Sequence, residues 1–546
     1  MRPAAARVFG SSCPPLTRLD GIHRTLIRCA ALLALAALLL TTASAAPVAR
    51  DDRFGIAHVS YPAGPRSAAR YLGAAAAGAS WDRWALYWTD VETSQGNFNW
   101  ANVDANVDGD VANGFQVDPV LLATPGFYAT TACAQSTDLP VPRIEDKEPA
   151  LAVMRGEPVR TAAAACTISP PVRLSQPVFA DGTDVYAAGK AINPNNPWAR
   201  FVAAAVARYK DRVHVWEVWN EPDFSAFWSG SVPDYTRLLK VAYLSAKSVD
   251  PNATVTVGGM MYWEWANRSG DQAWLKAFLD QLTLDPAARG NGYYFDAIPW
   301  HWYSRSSDVY DKITSAKALL TARGVSGKRQ WVNEMNAPAC GEPPANVSCA
   351  DPNYKGSASA QEQAAFVVQA MAYAIAVGAD HSFHFQYQDD GNAEAFGLLR
   401  NDGSARPAYT AYQVAAQYFA GATTGGRFTV GNVELIVVGS ASSTVTTMWA
   451  RSSTAETAVV SAKGSSATLV EMDGTTSTVF PVNGVYRVPL ERATDNRNFS
   501  GSANDFIVGG KPRLLVEQVG YGPPPTLVPG WDRSTMPVAP RSAPPV

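Results

Sequence analysis

Two glutamates close short apolar runs of the kind that form β-strands. Glu221 lies in Val213-His214-Val215-Trp216-Glu217-Val218-Trp219-Asn220-Glu221-Pro222-Asp223, and Glu334 lies in Arg329-Gln330-Trp331-Val332-Asn333-Glu334-Met335-Asn336. Pro222 ends the first run, because proline cannot donate to a sheet ladder. Strand alternation predicts Glu217, Trp219 and Glu221 on one side. Asn220 can hydrogen-bond a substrate hydroxyl beside Glu221. Two carboxyl groups brought to one place can divide a reaction, as glycosidic bond cleavage requires. One protonates the leaving oxygen and the other acts on the opposite face of the sugar ring. The plainer alternatives are a turn glutamate at 221 and a capping or ion-paired one at 334. The motif Trp219-Asn220-Glu221-Pro222 and the placement of Glu334 three strands later favour the chemical reading.

The elements that must position these residues are legible as eight apolar runs. They are Phe54–Tyr61, Ala79–Trp84, Gln116–Leu122, Val213–Trp219, Thr254–Met260, Ala297–Tyr303, Arg329–Asn333 and His381–Tyr387. Helical patterns lie between them, including Trp198–Tyr209, Pro233–Val249, Gln272–Leu284, Val309–Arg323, Ala360–Val377 and Ala408–Phe419. Eightfold strand–helix alternation predicts an α/β fold, a (β/α)8 barrel, whose functional residues stand at the strand C-termini. A doubly wound sheet is the runner-up, but no G-x-G-x-x-G follows an early strand. The barrel is expected over 46–424, with an insertion around 125–197 too long for an ordinary loop. Residues 425–518, with short alternating Val/Thr/Ser runs, predict a small β-sandwich. The Pro-rich tail is 519–546.

Composition sets the class. The 546 residues are 47% hydrophobic and 17% charged, so a sizeable core is available. The 16 Trp, 21 Tyr and 20 Phe suit both a core and the stacking of sugar rings. Arg24 and Arg28 precede the apolar run Ala30–Leu40 and the small residues Ala43-Ser44-Ala45, which reads as an export leader over 1–45. The stretch before Arg24 is long for such a leader, which is consistent with a start further downstream. Removing 1–45 takes away five Arg and one Asp and moves the formal charge from −3 to −7. A mildly acidic chain lacks the electrostatic footprint of a nucleic-acid binder. No second apolar segment implies a membrane partner after the leader is removed. Cys133, Cys166, Cys340 and Cys349 then remain, and proximity favours the pairs Cys133–Cys166 and Cys340–Cys349. Their spacing does not suit zinc, and no metal or cofactor is implied.

With Asn-Glu ending strand four and Glu ending strand seven, the chain resembles clan A of the retaining glycoside hydrolases. Within it, the chain is most similar to family 39 and its relatives, which include β-xylosidases and endoglycosidases. Further support comes from Gly78-Ala79-Ser80-Trp81-Asp82-Arg83-Trp84 with Trp88, Glu92, Gly96 and Trp100. Phe396-Gly397-Leu398-Leu399 with Gly403 and Arg406-Pro407-Ala408-Tyr409 adds to it. The resemblance implies Glu221 as acid/base and Glu334 as nucleophile. It also implies that His301 or Tyr303, two residues apart at the end of strand six, orients the nucleophile. Arg83 could hold the nucleophile's charge, with a solvent salt bridge as its alternative. His58 is a further candidate. Where clan members often carry Trp at the end of strand eight, this chain has Phe385-Gln386-Tyr387, and Gln386 joins the substrate-binding set. Trp88, Trp219, Trp228, Trp263 and Trp302 are either stacking platforms or core. The substrate expected is a β-linked carbohydrate, cut by endo action, with an exo-acting β-xylosidase-like enzyme as the alternative. A non-catalytic carbohydrate-binding barrel is the rival class.

Overall fold

The computed structural model describes residues 48, 50–129, 166–261, 273–344, 346–351, 356–391, 394–494, 496 and 505–521. The leader over 1–45, Cys133, Trp263, part of the insertion and nearly all of the tail lie outside them. Eight strands form a closed barrel: β1 Phe54–Ala57, β2 Trp81–Tyr87, β3 Gln116–Leu122, β4 Val215–Val218, β5 Thr254–Val257, β6 Ala297–Trp302, β7 Arg329–Met335 and β8 His381–His384. All neighbouring pairs are parallel, and β8 closes on β1. The helices that follow each strand are α1 Ala68–Ala77, α2 Ala101–Ala112, α3 Pro197–Tyr209, α4 Val232–Val249, α5 Ala273–Thr283, α6 Asp308–Ala322, α7 Ala360–Ala376 and α8 Pro407–Phe419. The expected (β/α)8 barrel is therefore the fold.

Local chemistry explains the boundaries. Asn196, Ser231 and Ser359 cap α3, α4 and α7 by accepting from backbone N–H groups. The last two complete capping boxes with Asp234 and Glu362. Covered on both faces, the barrel strands are buried almost throughout, with polar side chains such as Arg83, Asp118, Glu217 and Asn333 set among the apolar ones. Inside the barrel, Trp81, Val215, Ala297, Trp331 and Phe383 form an apolar floor. Gly55 makes room for it, since a Cβ there would stand 2.3 Å from the Phe383 ring.

Beyond α8 the chain forms a six-stranded antiparallel sheet in the order β9-β10-β11-β16-β13-β14. These strands are β9 Thr424–Val430, β10 Val433–Gly439, β11 Thr444–Ala450, β13 Ala467–Glu471, β14 Thr476–Val479 and β16 Arg513–Glu517, while β12 Glu456–Ser461 pairs with β15 Val485–Leu490. Alternation along β10 gives the sheet two apolar faces. Leu435 and Val437 pack within the sandwich's own core, whereas Ile436 and Val438 join the core that includes the barrel helices. The sandwich is thus fused to the barrel by a shared core. Gln369 of α7 reinforces the seam by donating to Gly510 O at 2.9 Å and accepting from Gly509 N at 3.1 Å.

Candidate active site

Two residues above the floor, alternation points Arg83, Glu217 and Asn333 into one buried space. Arg83 Nε and Nη2 donate to the two oxygens of Glu217 at 2.7 and 2.9 Å, and Nη2 also reaches Asn220 Oδ1 at 3.1 Å. Its Nη1 donates to Glu334 Oε1 at 2.7 Å. Glu217 further accepts from Gly259 N at 2.7 Å and Asn333 Nδ2 at 2.8 Å. Burial opposes the charge on Arg83, but Glu217 and Glu334 outweigh it and hold the guanidinium above its ordinary pKa. Asp118 of β3 stands 4.0 Å from Arg83 Nε. Burial, and then the charge of Glu217, pushes its carboxyl well up despite Arg83, which favours the protonated form.

Glu334 is buried at the end of β7. A register shift in the β6–β7 pairing, between Trp300 and His301, sets His301 opposite Glu334. The Tyr303 hydroxyl donates to Glu334 Oε2. Burial, and then the charge of Glu334, raises the Tyr303 phenol well above its ordinary range, so the phenol stays a donor. Phe385 and Phe396 pack edge-on against its ring, with centroids at 6.0 and 5.7 Å.

Glu221 is equally buried, but its surroundings differ. His301 Nδ1 lies 2.7 Å from Glu221 Oε1 and 3.5 Å from Glu334 Oε2. The expectation that His301 or Tyr303 orients the nucleophile therefore divides: Tyr303 takes Glu334, and His301 is nearer Glu221. Gly259 permits this packing, since a Cβ there would stand 2.0 Å from His301 Nε2 and 2.9 Å from Asn333 Oδ1. Glu221, His301 and Glu334 each present a donor atom, all within 4.8 Å of one another. That spacing could accept a divalent cation, although the Arg83 guanidinium on Glu334 would oppose one.

The structure corrects several readings. Regular alternation stops at Val218, because Trp219 and Glu221 take positive φ of 72° and 44°. Such conformations cost of order 1–3 kcal/mol each for non-glycine residues and cluster at functional sites. As a result Trp219 does not share the face of Glu217; instead Asn220 does, through Arg83. Trp219 is buried against Trp228 and Trp198, with its Nε1 donating to Phe227 O at 2.7 Å. Trp88 is sandwiched between Tyr128 and Phe201 and donates to Glu92 at 2.6 Å. Trp228 and Trp302 are buried as well. These four rings are core, not open platforms. His58, with φ 57°, and Gln386 meet each other, Nδ1 to Oε1 at 2.9 Å. Asp118, Asn333 and Gly259 were not singled out from sequence, and Glu217 was placed by strand alternation without a role. An acid inside the apolar run of β3 was the available signal for Asp118.

The comparisons agree with this fold. Residues 195–412 match the glycosyl hydrolase catalytic core. A β-xylosidase of Caldicellulosiruptor saccharolyticus is 26% identical over 236 residues, 38% of this chain and 43% of that protein, so the match spans less than half of the relative's length. A family 39 glycoside hydrolase from Bacteroides cellulosilyticus superposes with a TM-score of 0.57 at 19% identity, covering 86% of this chain and 81% of that one. A family 30 endoxylanase from Clostridium papyrosolvens gives 0.50 at 13% identity, covering 87% and 98%. At the level of the fold the resemblance read from the sequence holds: the segment carrying Glu221 and Glu334 matches the glycosyl hydrolase catalytic core, and the chain shares its barrel with the family 39 and family 30 enzymes.

Proposed function

We propose that this chain is an exported retaining glycoside hydrolase that cleaves β-glycosidic bonds, with Glu334 as nucleophile and Glu221 as acid/base. The observation that carries the reading is the spacing of the two buried acids, which bring carboxylate oxygens within 4.8 Å of each other. Retaining enzymes hold these groups about 5–5.5 Å apart, whereas inverting ones need about 6.5–9.5 Å to admit a water. The surroundings divide the roles. Glu334 receives donors on both oxygens, which favours the anion needed for attack. Glu221 has the negative charge of Glu334 close by, which favours holding a proton until the leaving oxygen takes it. Once the glycosyl-enzyme forms, the charge of Glu334 is gone, and Glu221 can accept a proton from water. Asn220 adjoins the scissile bond, and His58 and Gln386 belong to the substrate-binding set.

The names of the relatives favour a β-linked xylose polymer or oligomer as substrate. Endo action rests on the long insertion after β3, because the tryptophans described are core. The leader read at 1–45 and the Cys340–Cys349 disulfide, with Cα atoms 5.0 Å apart, support export. Cys166 is also disulfide-bonded.

Azide rescue tests the assignment. Glu221→Ala should still glycosylate Glu334 when given an activated aryl β-glycoside, and azide should then yield the glycosyl azide of retained configuration. Glu334→Gly should yield the inverted azide. Swapped anomers would exchange the roles, and near-wild-type hydrolysis by either variant would refute the proposal.

A further inference from the structure

Arg406, named so far only as part of the run into the last helix, is one of the largest fully buried side chains. It occupies the N-cap position of α8, and all five of its N–H donors are used. Nη1 and Nη2 hold the two oxygens of Asp389 at 2.9 and 2.8 Å. Nη1 also donates to Gly397 O at 2.8 Å, Nη2 to Pro343 O at 2.9 Å and Nε to Glu342 Oε2 at 2.8 Å. Asp389 in turn accepts from Gly397 N at 2.8 Å. Glu342 and Pro343 sit on the disulfide loop after β7, while Asp389 and Gly397 sit on the loop after β8. One guanidinium therefore joins the two loops.

Between these anchored points stands Phe396. Its carbonyl accepts from Asn336 Nδ2 at 2.6 Å, and its ring meets Tyr303 and Phe385 edge-on. We infer that Arg406 is a positioning residue for the nucleophile, acting through Asp389, Gly397 and Phe396 to seat the Tyr303 hydroxyl on Glu334. This rests on the roles proposed above for Glu334 and Tyr303. Lysine cannot replace the arginine, because it has three donors and no fixed fork.

The test is Arg406→Lys in the full chain, with Tyr303→Phe and the double variant, followed by kcat, KM and the pH profile. Among the described residues, the charged and titratable groups facing Glu334 include Arg83 from β2, Glu221 from the loop after β4, His301 from β6 and Tyr303 just beyond it, and none of them is altered by the lysine. Loss of the Tyr303 donor disfavours ionised Glu334, so the acid limb should move to higher pH. We expect kcat to fall by about tenfold to a hundredfold with KM little changed, as for a slight misplacement of a catalytic group. In the Tyr303→Phe background, Arg406→Lys should move the limb no further. A lowered Tm with an unmoved limb, or independent shifts that add, would overturn the inference. If the lysine variant does not fold, Phe396→Leu serves, since it keeps every polar contact of the clamp and removes the ring edges against Tyr303 and Phe385. The same shift is expected, and an unshifted limb overturns the idea. A parallel Glu334→Gly variant separates the two failures: if it stays active, the nucleophile is wrong, whereas if it is inactive, the limb judges Arg406 alone.

Discussion

Asp82 and Arg83 are neighbours on β2 and face opposite sides of the sheet, each into a cluster of buried acids. Inside the barrel, Arg83 gathers Glu217 and Glu334, with Asp118 at 4.0 Å. Outside it, Asp82 meets Asp110 of α2, and their donors among the described residues are neutral. Val59 N and Ser60 N donate to Asp82 at 3.0 and 2.8 Å, and Trp84 Nε1 donates to Asp110 at 2.8 Å. Ser60 Oγ lies 2.9 Å from Asp82 and 2.7 Å from Asp110, with a single proton to offer. The inner cluster has a fixed cation, so negative charge can persist there and be used. The outer cluster must balance itself with a proton. Burial, and then the charge of Asp110, accordingly raises Asp82 well above the usual carboxylate range, and burial raises Asp110 to about 6.

Removing the cation should make the inner cluster behave like the outer one. Arg83→Met leaves Glu217 and Glu334 without a positive partner, so Glu334 should gain a proton and the acid limb should rise. We expect kcat to fall by at least about 10²–10³, the loss that follows deletion of one preorganised donor. Initial rates across pH would check it, and an unmoved acid limb would show that Arg83 does not set the ionisation of Glu334.

The next effect concerns stability. Glu217→Gln removes the anion that engages Arg83 twice, and breaking a buried pair from one side costs about 3–5 kcal/mol. The charge that helps keep Asp118 protonated also disappears, so Asp118 can ionise and partly replace Glu217. The variant Glu217→Gln/Asp118→Asn should then be less stable than the two single changes sum to in urea denaturation. Additivity would mean that Asp118 does not compensate.

How far these clusters were legible follows from what fixes them. The eight strands were readable because both of their faces are covered, which leaves apolar runs between polar turns. Asn220-Glu221 and Glu334 were readable because a barrel presents strand ends on one face. The parity break at Trp219 was not, since two positive φ values in non-glycine residues carry no mark in the sequence. Arg83 was readable as a holder of the nucleophile's charge, but its fork between Glu217 and Glu334 was not. It joins positions 134 and 251 residues away, and periodicity cannot see such pairings. Asp82 was read only as part of a motif with Arg83, yet alternation sends the two to opposite sides of the sheet.

The outer cluster makes the smallest prediction, and its sign distinguishes it from an ion pair. Asp110 titrates near its ordinary 3.8 in the unfolded chain and at about 6 in the fold. Below about pH 4 both states hold the proton, and the full contribution to stability is present. As pH rises from about 4 to 6, the unfolded chain loses its proton while the fold keeps it, so folding is progressively disfavoured. A salt-bridged carboxylate would give the opposite slope. Two pH units correspond to at most about 3 kcal/mol. Asp110→Asn keeps an amide in the same contacts and cannot titrate, so the advantage of the native chain over this variant should shrink across that window. Urea denaturation at pH 4, 5, 6 and 7 measures it. A constant difference would mean that Asp110 does not hold the shared proton, and a difference widening with pH would mean that a cation serves this cluster after all.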